Sequence, residues 1–352
     1  MLCALETIMC AQNIWHVSPN GMGAGNGWSD ACSLQHAVQN ASPGDEIWAM
    51  SGYYYGNLVI NVNLTIRGGF AGTENQLQDR TALSTMDINT AFSTTQFSIL
   101  DATDSGRSVV RVDCDRFIMD RFTLTGGDTN FGGGLHMLGH AYLHLKDMHV
   151  CYNEVQVEGG GLYVDNVDSV RIENIVIYDN VAHSRGGGVN FVSCSRMLLL
   201  INALINNNHA DFYGGGLVFE NTGCLVINNT IVCNTAGVQG SAISMDCAHP
   251  ALYNTIVWGN SIWPPNIGVT IYGHTQPSNI SYYACCLNCE NNPFLDFPNS
   301  DFRLDPNSSC VDSGIWPSVF PYSTITTDLD HNTRCNGNID KGAYEFQLNT
   351  NK

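Results

Sequence analysis

The chain has 352 residues, of which 44% are hydrophobic and only 13% are charged, and its formal net charge is −18. The apolar fraction excludes an intrinsically disordered chain, and the excess of acidic over basic residues argues against binding to nucleic acid or anionic lipid. The longest apolar run, near residues 197–201, is far shorter than the roughly 18 residues that a membrane-spanning helix needs.

Residues 1–12 contain an apolar stretch that is interrupted by Glu6 and followed by the small residue Ala11. This pattern favours the remnant of a secretory signal peptide, although a basic start is missing. The alternative is an ordinary N-terminus without secondary structure. The sequence therefore predicts export.

Residues 33–41 (SLQHAVQNA) have the spacing of a short amphipathic helix, with Asp30 as its predicted N-cap and Pro43 and Gly44 as its stop signal. Strands of irregular early coils are predicted over residues 47–50, 58–60, 64–66 and 109–112. Since the end of a solenoid exposes apolar side chains, we expect the helix to cap the first coil.

Three columns of residues then repeat in one phase, with steps of 26 to 28 residues. Glycine clusters begin at Gly132, Gly159, Gly186 and Gly214, and a less complete copy begins at Gly240. Six residues before the clusters lie Gly126, Asn153, Asn180, Asn208 and Asn234, and Asn260 continues this column. Six residues earlier still lie Asp120, Asp147, Asn174, Asn202, Asn228 and Asn254.

Between these columns apolar residues alternate with a period of two, as at Leu162 and Val164, which is typical of strands with one buried face. Each repeat holds about three short strands separated by Asn or Gly turns. This organisation predicts an all-β chain folded as a single-stranded right-handed parallel β-helix, with about 27 residues per coil. Stacked Asn side chains, about 4.8 Å apart, would form a hydrogen-bonded ladder.

Two other repeat folds fit less well. The LxxLxLxxN pattern of leucine-rich repeats is absent, and β-propeller blades need about 40 residues. From residue 293 the chain becomes rich in Pro, Asp and Asn, and no linker interrupts it. We therefore predict one domain, with the β-helix and its N-terminal cap over residues 13–292 and a C-terminal cap over residues 293–352.

Motifs at both ends carry a family resemblance. They are IWHVSPNG at 14–21, GWS at 27–29, PGDEIW at 43–48, IRGGFAGTE at 66–74, NPFL at 292–295, SCVDSG at 309–314, TDLD at 327–330 and IDKGAYE at 339–345. These motifs resemble bacterial exported right-handed parallel β-helix proteins related to choice-of-anchor surface proteins. The Gly-Gly-Gly repeats are similar to those of chlamydial polymorphic outer-membrane proteins.

The resemblance covers nearly the whole chain after residue 13. It implies a pectate-lyase-like superfold and a location that is either secreted or on the outer-membrane surface of a Gram-negative bacterium. It implies no activity, because this group of proteins has no shared catalytic motif, and it leaves the route of anchoring open.

Stacking of the coils predicts one candidate site just before the glycine clusters. Glu158 would lie beside Arg185, His183 beside Asp211, and Tyr213 one coil further on. The candidate catalytic residues are therefore Glu158, His183, Arg185 and Asp211, and the candidate ligand-binding residues are Tyr163, Tyr213, Glu158 and Arg185. The alternative is an ordinary ladder of paired surface charges, which contributes little to the stability of the fold.

Two enzymatic chemistries are open at this site. A glycoside hydrolase needs two carboxylates roughly 5 to 10 Å apart, and Glu158 with Asp211 is one such candidate pair. A polysaccharide lyase needs a base near a cation, and Arg185 could supply the positive charge. No phosphate loop, dinucleotide fingerprint or Ser-His-Asp elbow is present.

Metal and cysteine candidates lie elsewhere. Asp328 and Asp330, together with Asn332, alternate like the oxygen ligands of a calcium loop. Calcium is therefore the one candidate cofactor. Cysteines are clustered at one place, where they predict either a disulfide or a metal site completed from a distance: Cys285, Cys286 and Cys289, with Cys310 or Cys335. The sequence leaves their disulfide state open.

Histidines and aromatic residues give two further candidates. A metal site could use His136, His140, His144 and His149, but the sequence favours scattered surface histidines. Carbohydrate-stacking platforms could use Tyr53, Tyr54, Tyr55, Trp258 and Trp263, for which the alternative is a place in the core.

The sequence thus favours a binding or adhesion role toward glycans or a partner surface over catalysis. The acidic excess makes a neutral glycan the preferred ligand. The alternatives are a polysaccharide lyase or glycoside hydrolase that acts in a lateral groove, and a purely structural stalk. No nucleic-acid partner and no transmembrane segment are predicted, and the oligomeric state is open.

Overall fold

The computed structural model describes residues 13–83, 85–262, 270–274, 279–289, 291–316, 325–334 and 338–347. Over these residues the chain is a right-handed parallel β-helix of about 7 turns with about 27 residues per coil, as predicted. Residues 1–12, which hold the predicted signal-peptide remnant, lie outside the described residues, as do Trp263 and Cys335.

The largest sheet, sheet 1, has 16 strands, and each strand pairs in parallel with its neighbours. Its first row of strands is Ile14–Val17, Glu46–Met50, Leu64–Phe70, Arg116–Asp120, Tyr142–Cys151, Ser169–Tyr178, Met197–Asn206, Leu225–Ile227, Ala251–Tyr253 and Ser281–Tyr283. A second row is Gly52–Tyr55, Ser98–Asp101, Phe122–Thr125, Thr230–Val232, Ile256–Trp258 and Cys286–Leu287. The three ten-residue strands belong to both rows, because each bends at its middle.

Two further parallel sheets complete the coils. Sheet 2 has eight strands: Leu58–Ile60, Val110–Val112, Leu135–Leu138, Leu162–Asp165, Val189–Val192, Leu217–Glu220, Ile243–Asp246 and Ile271–Gly273. Sheet 3 has six shorter strands: Asp128–Phe131, Glu154–Glu158, Val181–Ala182, His209–Ala210, Thr235–Ala236 and Ser261–Ile262.

Helical structure is confined to short segments. The α-helix Leu34–Asn40 is confirmed, and its Leu34 and Ala37 are buried at the first coil. Its predicted N-cap was wrong: the side chain of Ser33 accepts the hydrogen bond from the His36 N–H, whereas Asp30 belongs to a preceding turn. The 3-10 helices are Trp28–Asp30, Leu77–Asp79, Ile88–Thr90 and Phe297–Asn299.

The interior of the coils is filled by the inward-facing residues of all three sheets. The rings of Phe191 and Phe219, for example, stack on adjacent coils with centroids 5.7 Å apart, and both are fully buried. Ile172 is equally buried in sheet 1. Truncating such a side chain to Ala costs about 2–5 kcal/mol, so the aliphatic stack holds the coils together.

The predicted Asn ladder is present. Each side-chain amide donates to the carbonyl oxygen of the next at 2.9 Å, through Asn153, Asn180, Asn208, Asn234 and Asn260. The earlier polar column lies at the bends of sheet 1, where Asn174 (φ 52°) and Asn202 (φ 51°) adopt the left-handed conformation that Asn tolerates. There Asn202 Nδ2 donates to Asn174 Oδ1 at 3.0 Å.

The glycine clusters allow the backbones of adjacent coils to approach closely. A Cβ atom on Gly188 would lie 2.5 Å from the carbonyl oxygen of Gly216 on the next coil. The first glycine of the cluster, Gly186, has a φ of +66°, which a residue with a side chain rarely adopts. The triple glycine therefore allows both the sharp turn of the chain and the close approach of neighbouring coils.

Residues 294–347, where described, form a segment that runs back along the outside of sheet 1, and we call it the return segment. It begins with the antiparallel pair Phe294–Asp296 and Asp301–Leu304. Its apolar residues bury an outward row of sheet 1, with Phe302, Leu329 and Tyr344 packed against Val176, Leu204 and Val232. The predicted cap residues thus lie against the side of the coils.

A buried arginine fixes the return segment to the coils. Arg334 is only 1% exposed, and its Nη2 donates to Asn202 Oδ1 at 2.9 Å and to the carbonyl oxygens of Gly342 and Ala343. Its Nη1 lies 3.2 Å from Glu345 Oε2. Burial raises the pKa of the Glu345 carboxyl to about 7.

Candidate functional site

The outward residues of sheet 2 and of the turn before it form one continuous surface, which we call the sheet 2 face. In sheet 2 the register aligns Tyr163 with Asn190, and Asp165 with Val192 and then Glu220. In the turn, backbone bridges align Glu158 with Arg185 and Arg185 with Tyr213, as predicted from the stacking. Strand alternation directs these side chains away from the aliphatic interior.

Asn190 is at the centre of this face. Its Nδ2 donates to Glu158 Oε2 at 3.2 Å and to Glu220 Oε1 at 3.3 Å, so the two carboxylates share one amide. The Asn190 side chain is fully buried, and its Oδ1 has no hydrogen-bond partner among the described residues. A buried acceptor without a protein donor is uncommon, and an ordered water molecule commonly satisfies such an atom.

The surroundings of Glu158 raise the pKa of its carboxyl. Burial raises its pKa, the carboxylates of Glu220 and Asp165 raise it further, and Arg185 and Asn190 offset part of that rise. Burial and Glu220 likewise raise the pKa of Asp165. Arg185 Nη1 lies 3.5 Å from Glu220 Oε1. Two carboxyl groups and one guanidinium are thus brought together on this face.

Aromatic rings lie on both sides of the two carboxylates. On one side the Arg185 guanidinium lies over the Tyr213 ring, 5.5 Å from its centroid, and Tyr213 stacks in parallel with Tyr272 at 6.5 Å. On the other side Tyr163 packs against Phe131, with ring centroids 5.1 Å apart. The predicted ligand-binding residues Tyr163, Tyr213, Glu158 and Arg185 therefore share this face.

The remaining predicted residues, His183 and Asp211, belong to a separate series of side-chain hydrogen bonds beside sheet 3. His183 Nδ1 lies 2.9 Å from Asp211 Oδ2, and His183 Nε2 lies 2.8 Å from Glu154 Oε1. His209 Nε2 lies 3.0 Å from the other oxygen of Asp211. Hydrogen bonds to Asp211 and Glu154 raise the pKa of His183; burial acts to raise the pKa of Asp211, but its bonds to His183 and His209 outweigh burial and lower it.

The carboxylate that shares a hydrogen-bond partner with Glu158 is Glu220, whereas the Asp211 carboxylate bonds to His183 and His209. The pairing of Glu158 with Asp211 stays a prediction. Sequence reasoning missed Glu220 and Asn190. Their signal was the outward position in the strand after each glycine cluster, where strand alternation exposes polar side chains.

The carboxylates of Asp328 and Asp330 bond to protein groups of the return segment. Asp328 accepts hydrogen bonds from the N–H groups of Asn332 and Glu345, both at 2.8 Å. Asp330 Oδ2 lies 2.6 Å from the Nε of Arg303. A cation at Asp330 would have to compete with this arginine, and calcium at this place stays a prediction.

The four predicted histidines do not share a site. His136 faces outward beside Tyr163, as predicted, whereas His144 lies 2.9 Å from Glu173 on sheet 1. His149 is fully buried, and burial lowers its pKa to about 3. His140 lies 3.8 Å from Asp115 in the turn before sheet 1.

The aromatic platforms also separate. Tyr53 and Tyr55 stack on the outer surface with centroids 6.3 Å apart, whereas Tyr54 is buried. Trp258 packs edge-on against Phe294 and Phe297 beneath the return segment and belongs to the core there.

The predicted cysteine cluster assembles with a distant partner. Cys286 and Cys289 form a disulfide, and Cys310 Sγ lies 3.9 Å from Cys289 Sγ. Cys285 instead directs its thiol to the carbonyl oxygen of Leu252 at 3.3 Å. In the part of the chain that the structure describes, these three cysteines are the one group of His, Cys, Asp or Glu ligand atoms close enough to share an ion.

Comparison with known proteins supports the fold. No protein-family model and no curated protein matches the chain. Among solved structures, the crystal structure of pectate lyase Pel9A is similar, with a TM-score of 0.53 and 13% identity, over 96% of this chain and 97% of that one. Among the described residues no helix is long and apolar enough to cross a membrane.

Proposed function

We propose that the protein is an exported or surface-located binding protein that holds a neutral glycan chain on the sheet 2 face. The observation that carries the proposal is the pair of partly exposed carboxylates, Glu158 and Glu220, which share the Asn190 amide on a face flanked by tyrosines. The similarity to the fold of a pectate lyase supports a polysaccharide-related role.

The chemistry of the face suits a sugar. Sugar rings present C–H faces that pack on aromatic rings, which Tyr163 and Tyr213 offer at either end. Sugar hydroxyls both donate and accept, so they match the partly exposed carboxylates of Glu158 and Glu220. The net charge of −18 disfavours a polyanion.

A second candidate function is glycoside hydrolysis, which the shared amide of Asn190 favours. Glu158 and Glu220 bond to the same nitrogen at 3.2 and 3.3 Å, so their carboxyl groups are close neighbours, as the two carboxylates of a glycosidase are. Glu158, with its raised pKa, would protonate the leaving oxygen. Glu220, which lies 3.5 Å from the Arg185 guanidinium, would attack the sugar or activate water.

Polysaccharide lyase chemistry is a further enzymatic proposal, which rests on the fold similarity and on the positive charge of Arg185. In this structure that charge is already engaged by Glu220. Elimination would also require an acidic sugar, which the overall charge of the chain disfavours. We therefore rank it below the other two.

Binding and turnover can be measured on one panel of neutral and acidic polysaccharides, by affinity electrophoresis, by release of reducing ends and by absorbance of unsaturated products. We expect retardation by a neutral polysaccharide, and a Tyr213→Ala change should weaken it about tenfold through loss of one stacking platform. Tyr282→Ala is the matched control, because Tyr282 is an exposed tyrosine in a strand of sheet 1. Equal loss in both variants, or no retardation by any polysaccharide, would refute the binding proposal.

The hydrolase candidate is decided by the same panel. Release of reducing ends that falls by at least about 10²-fold in Glu158→Gln would establish it. Binding without any products would reject it and leave the binding function standing.

A further inference from the structure

Three cysteine sulfurs meet where the last described coils contact the return segment. Cys286 lies in a strand of sheet 1 that pairs with Ile256 and Val257, Cys289 follows it, and Cys310 belongs to the return segment. All three sulfur atoms lie within 4.8 Å of one another. A disulfide joins Cys286 to Cys289, which leaves Cys310 as a thiol directly beside it.

Proximity, and not activation, makes this thiol a candidate for exchange, because its sulfur lies 3.9 Å from Cys289 Sγ. Burial raises the pKa of Cys310, the hydrogen bond with the Ser308 side chain and the charge of Lys341 offset part of that rise, and Asp340 adds to it. A cavity of about 680 Å³ borders Cys286 and Cys289, and Ser308 and Lys341 line it too, so solvent has a route to the disulfide, while Cys310 lies buried directly behind it.

We propose that Cys286, Cys289 and Cys310 form a thiol–disulfide exchange site in which one disulfide is shared among three sulfurs. The thiolate of Cys310, after loss of its proton to solvent, attacks Cys289 Sγ. The Cys289–Cys310 bond forms as the Cys286–Cys289 bond breaks, and Cys286 leaves as a thiolate that takes up a proton. The number of disulfides is unchanged, so no external oxidant or reductant is consumed.

The exchange changes what the disulfide connects. In the Cys286–Cys289 form the bond closes a short local loop with a sequence separation of 3. In the Cys289–Cys310 form it joins the coils to the return segment across a separation of 21 residues. The site therefore converts a local bond into a covalent link between the β-helix and the segment that covers its side.

Peptide mapping without reduction tests the proposal. Trypsin cleaves after Arg303, so the Cys286–Cys289 form yields separate peptides 197–303 and 304–334, while the exchanged form yields them linked. Cys310 is the single cysteine of the second peptide, and fragmentation identifies its partner in the first. The oxidised full chain is incubated at about pH 8.5, where thiols begin to ionise, and is then quenched with acid and N-ethylmaleimide before digestion.

We expect the linked peptides in the wild-type protein to rise roughly tenfold over an acid-quenched starting sample, with Cys289 as the partner of Cys310. Cys286→Ser should form this link as its main product in a glutathione buffer, and Cys289→Ser should abolish it. Cys285→Ser is the matched control and should behave as wild type, because its thiol faces Leu252. Absence of linked peptides from the wild-type protein, or a link through Cys285, would overturn the proposal even if a variant fails to fold.

Discussion

Asn208 Oδ1 accepts two hydrogen bonds from Asn180, one from its backbone N–H at 3.2 Å and one from its side-chain amide at 2.9 Å. Asn208 Nδ2 in turn donates to the carbonyl oxygen of Ile177, at the end of a sheet 1 strand, at 3.0 Å. One buried side chain therefore satisfies polar groups on neighbouring coils, and the same geometry repeats along the ladder.

Replacing Asn208 with Ala should lower the free energy of unfolding by about 3 kcal/mol or more, because buried donors on Asn180 and a buried carbonyl lose their partners at about 1–3 kcal/mol each. Urea denaturation followed by circular dichroism would measure the change. Asn61→Ala, at an exposed position, should stay within about 0.5 kcal/mol of wild type. Similar losses in both variants would contradict an energetic role for the ladder.

The glycine stack makes a second stability prediction. Gly188→Ala should destabilise the protein by about 2 kcal/mol or more, because the new Cβ would lie 2.5 Å from the Gly216 carbonyl oxygen and would push two coils apart. Gly27→Ala serves as the control, since no atom lies within 4 Å of a Cβ there. Thermal unfolding of the two variants compares them directly, and a tolerated Gly188→Ala would show that the coils can separate at little cost.

The buried Glu345 predicts a dependence of stability on pH. Its pKa is raised from 4.5 to about 7 by burial, so between these values the folded state binds more protons than the unfolded state. Stability from this group is therefore full below about pH 4.5 and is lost as the pH rises toward 7, by up to about 3 kcal/mol. Urea denaturation at pH 4.5 and 7.5 should show this loss in wild type relative to Glu345→Gln. Parallel profiles for the two proteins would contradict it.

The sheet 2 face predicts the effect of one added charge. Asn190→Asp keeps the shape of the side chain but replaces the amide donor with a third carboxylate against Glu158 and Glu220. We expect a loss of about 2 kcal/mol or more at pH 7.5, with much of it recovered at pH 4.5 as the carboxylates take up protons. Asn190→Ala removes the amide without adding charge and should show no such recovery, which separates repulsion from the loss of hydrogen bonds.

The positions at which each coil begins and turns could be predicted from the sequence, because every column of residues satisfies a local structural requirement. Gly186 takes a positive φ, Asn180 hydrogen-bonds its own coil and the next, and Leu162 fills a fixed interior position. Such requirements recur in every coil, so the residue types that satisfy them repeat at a regular spacing in the sequence. The neighbours of Glu158 and Arg185 followed from the same stacking.

The rest depended on contacts between columns and between distant segments. The amide of Asn190 reaches sideways from sheet 2 to Glu158 in the turn, and side-chain reach across a corner is not encoded in a repeat length. The buried Arg334 donates a hydrogen bond to Asn202 over a separation of 132 residues. A contact between such distant residues cannot be predicted from the repeat. Residues 293–352 were therefore predicted as a cap although their described part lies along the side of the coils.

A stack in which each coil touches only its neighbours can fray one coil at a time from either end. The return segment changes that behaviour, because the Tyr344 hydroxyl donates to the carbonyl oxygen of Met86 while the Gly342 N–H donates to that of Asn254. Early and late coils are thereby held by the same few residues. Unfolding should accordingly be a single concerted transition, and native-state hydrogen exchange should show coils near Met86 and Asn254 opening together rather than in sequence.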